Sequence, residues 1–384
     1  MGQGRRSLGQ GVAIGEILHT IGEGLKQSGL MAYEVWWALV LGFAISAIVQ
    51  AWVPRARVEN ALAGSGFRPL AKATGLGAAS SSCSYAAIAI AKSLFQKGAS
   101  AATILAFQFA STNLVWELGL VLWVLIGWQF TLAEFVGGII LIILMSVLLR
   151  LFVSPALEER AREHARQAQS EHQHSSPESE MPVRQRIRSA EAWSDVALNF
   201  RSDWRMLWKE ITAGFLLAGF IGLLGDDFFN FLFLENAPPI LRTLENVIVG
   251  PLIAVLSFVC SVGNVPLAAV LWSGGISFGG VIAFIFADLI VVPIVLAYRK
   301  YYGTSFALRI TALMFVTMVL AALAVDGLFS FVGLVPESRP SRADIFGSIQ
   351  LDYKLALNLL GLAIFAGLMY LARRRGPMDM SDMK

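Results

Sequence analysis

The chain has 384 residues, of which 56% are hydrophobic and 15% are charged, and its formal net charge is +3. Soluble domains carry about a quarter charged residues, so this composition indicates a protein that lies in lipid. The small net charge argues against nucleic acid as a partner. Only two cysteines occur, Cys83 and Cys260, which excludes a disulfide scaffold. No cofactor is expected, and whether the chain forms a homo-oligomer is left open.

In chain order, the first half predicts membrane-spanning helices, because a helix of ~20 apolar residues crosses ~30 Å of hydrocarbon. Residues 1–32 have the spacing of an amphipathic interfacial helix. Spans are predicted at Val35–Val53 and Phe130–Val153, with a weakly apolar segment, Gly75–Phe95, between them. The stretch Ala99–Trp128 is too long for one simple span and contains polar residues, which predicts a broken or tilted helix.

The second half follows a hydrophilic linker and again predicts a series of membrane-spanning helices. Its predicted spans are Ile211–Leu224, Ile248–Leu271, Ile276–Leu296, Ile310–Val325 and Leu355–Leu371. We therefore predict an all-α polytopic membrane protein with five parts: an amphipathic N-terminal segment (1–32), a first transmembrane repeat (33–153), the linker (154–205), a second repeat (206–330), and a loop, last helix and basic tail (331–384). The arginines at 373–375 predict that the tail and linker lie in the cytoplasm, at the plasma membrane.

An internal repeat relates the two halves. An offset of 177 residues aligns Cys83 with Cys260 without gaps, and gives ten identities across the 28 residues 83–110. This is more than membrane composition alone produces, so we interpret it as a real repeat. The distribution of Lys and Arg among the loops favours an inverted repeat with re-entrant or broken helices, because this arrangement places most of the basic clusters on the cytoplasmic side. Such repeats are typical of secondary transporters, whose solute sites lie between the halves; a purely structural bundle is the alternative.

The segments around the two cysteines are the strongest candidates for facing a solute. They read GLGAASSSCSYAA and SFVCSVGNVPLAAV, and their small residues tolerate unwound helix around a cavity, although close helix packing selects the same residues. Thiolates are soft ligands, so Cys83 and Cys260 together could hold a soft metal ion or a trivalent metalloid. Each could equally be a small buried hydrophobe.

Four uncharged polar residues are further candidates for solute binding. These are Ser84, Asn113, Ser261 and Asn264, which could form hydrogen bonds with a solute or only cap broken helix ends. The histidines, at 19, 164, 172 and 174, all lie outside the predicted spans, and no His-Glu-x-x-His motif occurs. We therefore do not expect an enzyme.

Two carboxylates are candidates for proton coupling. Asp288 lies in IAFIFADLIVVP without a charged neighbour, and Glu117 follows in the broken stretch after Asn113. An ionisable group at membrane depth is costly, so a functional role is the first hypothesis, and such a group could take up a proton. The alternative is snorkelling towards the headgroups, which suits Glu117 and Glu134 better than Asp288.

The two cysteine segments resemble a known family. CSY and CSVGNVP, each followed by a glycine at the same spacing and then by an AFxFA helix, are similar to the predicted permeases that include the organoarsenical efflux permeases and YraQ-like proteins. In that family the first segment commonly reads Cys-Ser-Cys with nearby prolines, whereas this chain has Tyr85 and Ala89 at those places. The resemblance, over roughly residues 33–330, implies secondary transport, usually efflux, with Cys83 and Cys260 as the transferable positions.

Three functions remain open at this point. The first is a permease that exports a small solute, such as a soft metal ion or a trivalent organoarsenical, by alternating access. The second is a membrane scaffold that does not transport, whose linker recruits a soluble partner. The third is a gated pore for a neutral solute.

Overall fold

The computed structural model describes residues 4–52, 66–80, 84–96, 98–167, 190–224, 226–234, 237–257, 261–341 and 353–374. Over these residues the chain is helical and has no strand. The α-helices are α1 (Gly4–Trp52), α2 (Phe67–Ser80), α3 (Ser84–Gln96), α4 (Ala101–Asn113), α5 (Trp116–Ile126), α6 (Trp128–Phe152), α7 (Pro155–Gln167), α8 (Ala190–Ile221), α9 (Asp226–Leu232), α10 (Pro239–Ser257), α11 (Ser261–Ser273), α12 (Phe278–Phe286), α13 (Val292–Tyr302), α14 (Thr304–Val332) and α15 (Tyr353–Arg374). A 3₁₀ turn, Ala287–Ile290, follows α12 directly.

Five of the described helices are long and apolar enough to cross a membrane, namely α1, α6, α10, α14 and α15. Two bent pairs, α4 with α5 and α12 with α13, raise the number to seven if each pair is one span. The prediction of an all-α polytopic membrane protein is therefore confirmed. Helices α3 and α11 have 13 residues each, a length of about 20 Å. They are too short to cross ~30 Å of hydrocarbon alone.

The broken helix predicted at Ala99–Trp128 is confirmed, because α4 and α5 meet at a 43° bend. The span predicted at Ile276–Leu296 covers α12, its 3₁₀ turn and the start of α13, and it is bent by 42° between Ile290 and Val292. Pro293, in the first turn of α13, lies at this bend and lacks the N–H that a continuous helix would bond to the carbonyl four residues earlier. Nearby Val291 is extended, with φ −62° and ψ 148°. Helix α10 ends at Ser257 and α11 begins at Ser261, and residues 258–260 lie outside the described residues, so the single span predicted at Ile248–Leu271 stays a prediction.

The N-terminal segment predicted at 1–32 continues without a break into the first span, as one helix of 49 residues. Helix α15 holds α1 in place through three hydrogen bonds, made by two of its side chains. The Lys354 ammonium donates to Glu34 at 2.5 Å, and the Asn358 side chain accepts from the backbone N–H of Trp37 and donates to the carbonyl of Tyr33. Pairing the buried Glu34 carboxylate with the Lys354 ammonium lowers the desolvation cost of placing this charge inside the bundle.

Both ends of the predicted linker, 155–167 and 190–205, are helical and pack on the bundle. Its middle, 168–189, lies outside the described residues. Helix α8 begins at Ala190, not after 205, and buries Val196 and Phe200. Helix α7 is held at the end of α3 by Arg162, which donates to the carbonyls of Phe95 and Ala99 at 3.0 and 3.2 Å. Residues 155–167 and 190–205 are therefore structural parts of the bundle.

The helix bounds agree with the internal repeat. Shifting α3 by 177 residues gives the bounds of α11, and shifting α4 gives the span from the start of α12 to the end of the 3₁₀ turn. Ser100 and Ser277, which correspond under this shift, both form N-caps with extended backbones, and each hydroxyl accepts a backbone N–H three residues later. Gly98 and Gly275 both have positive φ, at 99° and 110°. The local conformation therefore repeats, while the relative orientation of the halves stays a prediction.

Candidate functional site

The starts of α3 and α11 meet at one carboxylate. Ser84 is the first residue of α3 and Ser261 the first residue of α11. Their hydroxyls donate to the same oxygen, Oδ2 of Asp288, at 3.1 and 2.7 Å respectively. Asp288 is only 1% exposed and lies in the 3₁₀ turn. The two short helices are thus joined at a buried acid that neither of them contains.

Two hydroxyl hydrogen bonds favour a negative charge at Asp288, and burial opposes it. Hydrogen bonds to a charged group each contribute about 1.5–3 kcal/mol. The second oxygen, Oδ1, is buried and has no hydrogen-bond partner in the described part of the chain. This side of the carboxylate is the one that can accept a bond from a bound solute.

A second polar pair lies close to this acid. The Tyr298 hydroxyl on α13 donates to Oε1 of Gln108 on α4 at 2.6 Å, and both side chains are fully buried. Tyr298 is within electrostatic range of Asp288. The Gln108 amide nitrogen has no partner among the described residues. Sequence reasoning missed both; the one available signal was an amide inside the otherwise apolar stretch ATILAFQFA.

Close backbone packing lets the helices around the site approach one another. A Cβ at Gly214 of α8 would lie 2.1 Å from the carbonyl oxygen of Gly263 in α11, and one at Gly250 of α10 would lie 2.5 Å from the carbonyl oxygen of Gly280 in α12. Real side chains do not tolerate such distances. These two glycines therefore set the spacing of the helices that present Ser261 and Asp288.

Comparison with known proteins identifies the family of this chain. A family model described as predicted permease, ArsP_1, matches residues 22–327. The protein of Mycobacterium tuberculosis named "Putative permease Rv2963" is 43% identical over 323 residues, which cover 82% of this chain and 79% of that protein. This chain belongs to the predicted-permease family. No solved structure matches it.

Membership indicates a multi-pass transporter rather than an enzyme. Of the residues that the sequence predicts for solute binding, the permease brings Ser84 and Ser261 together at Asp288. Cys83 and Cys260 lie outside the described residues. In the part of the permease that the structure describes, no group of three or more His, Cys, Asp or Glu residues could hold a metal ion.

The two predicted asparagines are buried in the permease without completing the Asp288 cluster. Asn113 ends α4, at the bend before α5, and both of its amide atoms lack a partner among the described residues. The Asn264 carbonyl oxygen accepts from the Ser257 hydroxyl at 3.2 Å, so this residue ties α11 to the end of α10. Its amide nitrogen stays unpaired there. Both can offer hydrogen bonds to a solute that enters the bundle.

The remaining predicted carboxylates differ in their surroundings. Glu117 lies at the interface of α5 with α1, where a Cβ at Gly42 would lie 2.7 Å from its Cα. Snorkelling is wrong for Glu134, because this side chain on α6 is fully buried. Gly137, one turn after Glu134, packs against the ring of Phe286, which is two residues before Asp288.

Proposed function

We propose that this permease is a secondary transporter whose solute site is the Ser84–Ser261–Asp288 cluster between two homologous halves. The observation that carries the proposal is that two serines 177 residues apart donate to one buried carboxylate oxygen. A site shared by two repeats is what alternating access requires, because rocking one half against the other opens the same groups to either side. The burial of Asp288 corresponds to a closed state of such a cycle.

The chemistry of the cluster favours a solute with cationic or soft character. Asp288 offers one unpaired carboxylate oxygen. In the sequence, Cys83 and Cys260 directly precede the two serines that bind this acid. A carboxylate with two thiols suits a soft metal ion or a trivalent organoarsenical better than a neutral hydrophilic solute. We expect export across the plasma membrane, with the linker and the C-terminus in the cytoplasm and with inverted repeats.

Uptake into everted membrane vesicles tests this proposal. The panel contains a trivalent organoarsenical, arsenite, Cu(I) and Zn²⁺, and vesicles without the permease give the background. We expect wild-type vesicles to accumulate at least one of these solutes and Asp288→Asn vesicles to lose that accumulation. Asp326→Asn is the matched control, because Asp326 is a carboxylate on α14 that accepts the backbone N–H of Gly279 at 2.8 Å.

Two results would contradict the proposal. If Asp288→Asn transports as well as the wild type, the cluster is not the solute site. If no member of the panel enters wild-type vesicles above background, the proposed solute class is wrong.

A further inference from the structure

Glu134 is enclosed on the inner face of α6. One turn before it, the Phe130 ring packs on Phe278 with a centroid separation of 4.8 Å. One turn after it, a Cβ at Gly137 would lie 2.7 Å from the ring of Phe286, and Phe286 is two residues before Asp288. Helix α6 is therefore pressed on α12 on both sides of Glu134, which leaves this carboxyl no route to the lipid headgroups.

The buried face around Glu134 contains an unusual number of unpaired polar atoms. Neither Glu134 oxygen has a hydrogen-bond partner among the described residues. The next turn of α6 faces Asn113, whose Cβ is 3.9 Å from the position of a Cβ at Gly138, and both amide atoms of Asn113 are unpaired as well. A buried polar group without a partner costs about 1–3 kcal/mol, so several together need a compensating function.

An ionised Glu134 would be strongly disfavoured in this place. It would lack solvent and hydrogen bonds, and it would repel the carboxylate of Asp288, with which it interacts electrostatically. Asp288 accepts hydrogen bonds from two hydroxyls, whereas neither Glu134 oxygen has a partner among the described residues. When a single proton is available to the two acids, it therefore resides on Glu134.

The other charged groups on the helices packed against α6 do not change this order. Glu117 on α5 is at the interface with α1. Asp326 on α14 is occupied by the N–H of Gly279. Arg309, also on α14, is exposed and donates to the carbonyl of Phe152 at the far end of α6. Helices α4 and α12 carry no charged residue.

We propose that Glu134 is the proton carrier of this permease and that the proton and a cationic solute exchange through the Glu134–Asp288 pair. This inference rests on the proposed function. When a cation binds at Asp288, its charge removes the repulsion on Glu134, the carboxyl O–H bond breaks, and the proton passes to water in the opened cavity. When the cation leaves, Glu134 takes a proton from water on the other side. The pair therefore holds either the proton or the cation, but not both. The two ions then cross the membrane in opposite directions, as in an antiporter.

Infrared difference spectroscopy tests the protonation without requiring a solute. Purified wild-type permease at neutral pH should show the carbonyl stretch of a protonated, unsolvated carboxyl group. This band should be lost in Glu134→Gln and retained in the matched variant Asp326→Asn, which changes a carboxyl on α14 outside the proposed site. A band that persists unchanged in Glu134→Gln, or its absence from the wild type, would overturn the proposal even if transport is confirmed.

Proton release on solute binding tests the exchange. In a weakly buffered detergent solution with a pH dye, adding Cu(I) or Zn²⁺, whichever cation the vesicles transport, should release protons from the wild type and from the matched variant Asp326→Asn. Glu134→Gln should bind the cation and release about one proton fewer per bound cation than the wild type, because any protons lost by the cysteine thiols are released from both proteins. Binding with undiminished proton release in Glu134→Gln would refute the exchange, and failure of every solute to bind the wild type would instead contradict the proposed function.

Discussion

The coupling between Ser261 and Asp288 gives a prediction that does not depend on the solute. Replacing Ser261 by alanine removes the 2.7 Å hydrogen bond to Oδ2 of Asp288. Because the acceptor is a buried charge, we expect the free energy of unfolding to fall by about 1.5–3 kcal/mol. Ser84→Ala should cost less within that range, since its bond is longer, at 3.1 Å. In an Asp288→Asn background the acceptor is neutral, and the cost of Ser261→Ala should drop to about 0.5–1.5 kcal/mol.

The assay is reversible denaturant unfolding of the purified permease in mixed micelles, analysed as a double-mutant cycle. Ser277→Ala is the matched control, because this hydroxyl accepts the Gly280 N–H at 3.1 Å and caps α12 without touching Asp288. Loss of such a cap costs about 1 kcal/mol, and the cost should be the same in both backgrounds. If Ser261→Ala costs the same amount with Asp288 and with Asn at 288, the reasoning about a charged shared acceptor is wrong.

Three further predictions address packing, the linker and the thiols. Gly214→Ala should destabilise the permease by about 1–3 kcal/mol in the same unfolding assay, because the added methyl would overlap the Gly263 carbonyl; Gly327→Ala, with open space around it, should not destabilise it. Replacing residues 168–189 by a neutral spacer of equal length should leave vesicle transport intact, whereas a scaffold protein would lose its function, measured as partner recruitment. The double variant Cys83→Ser/Cys260→Ser should lose transport of soft solutes in everted vesicles, and unchanged transport would remove the thiols from the site.

The sequence predicts the membrane class and most of the bundle because hydropathy acts over whole helices. Helices α6 and α15 begin and end within a few residues of the predicted spans, and α14 extends further than predicted at both ends. The break in Ala99–Trp128 was visible because polar residues mark it. In Ile276–Leu296, Pro293 was the signal, and the hydropathy of its neighbours outweighed it.

The helical flank of the linker was missed for a different reason. Val196, Ala197 and Phe200 form a narrow apolar stripe among charged residues, so the composition of 190–205 indicates solvent while the stripe packs against α1 and α15. Periodicity, not composition, carried the information there.

The candidate site was predicted in part. The repeat led to Ser84 and Ser261, and the cost of a lone charge in an apolar segment led to Asp288. The sequence could not show that both serines bind Asp288, because this depends on the way in which two bends and two short helices pack in three dimensions. The same is true of Glu134, whose position in the sequence is equally compatible with a lipid-facing end of α6.

The most direct test of the shared site uses the two native cysteines, which are the only thiols in the chain. Purified permease in lipid is treated with a short bifunctional thiol reagent and then with a water-soluble maleimide, and the products are identified by mass spectrometry. A solute site between the halves predicts that the reagent joins Cys83 to Cys260 within one molecule and thereby blocks the maleimide. The account is contradicted if the two cysteines react only separately, or only after the protein has been unfolded.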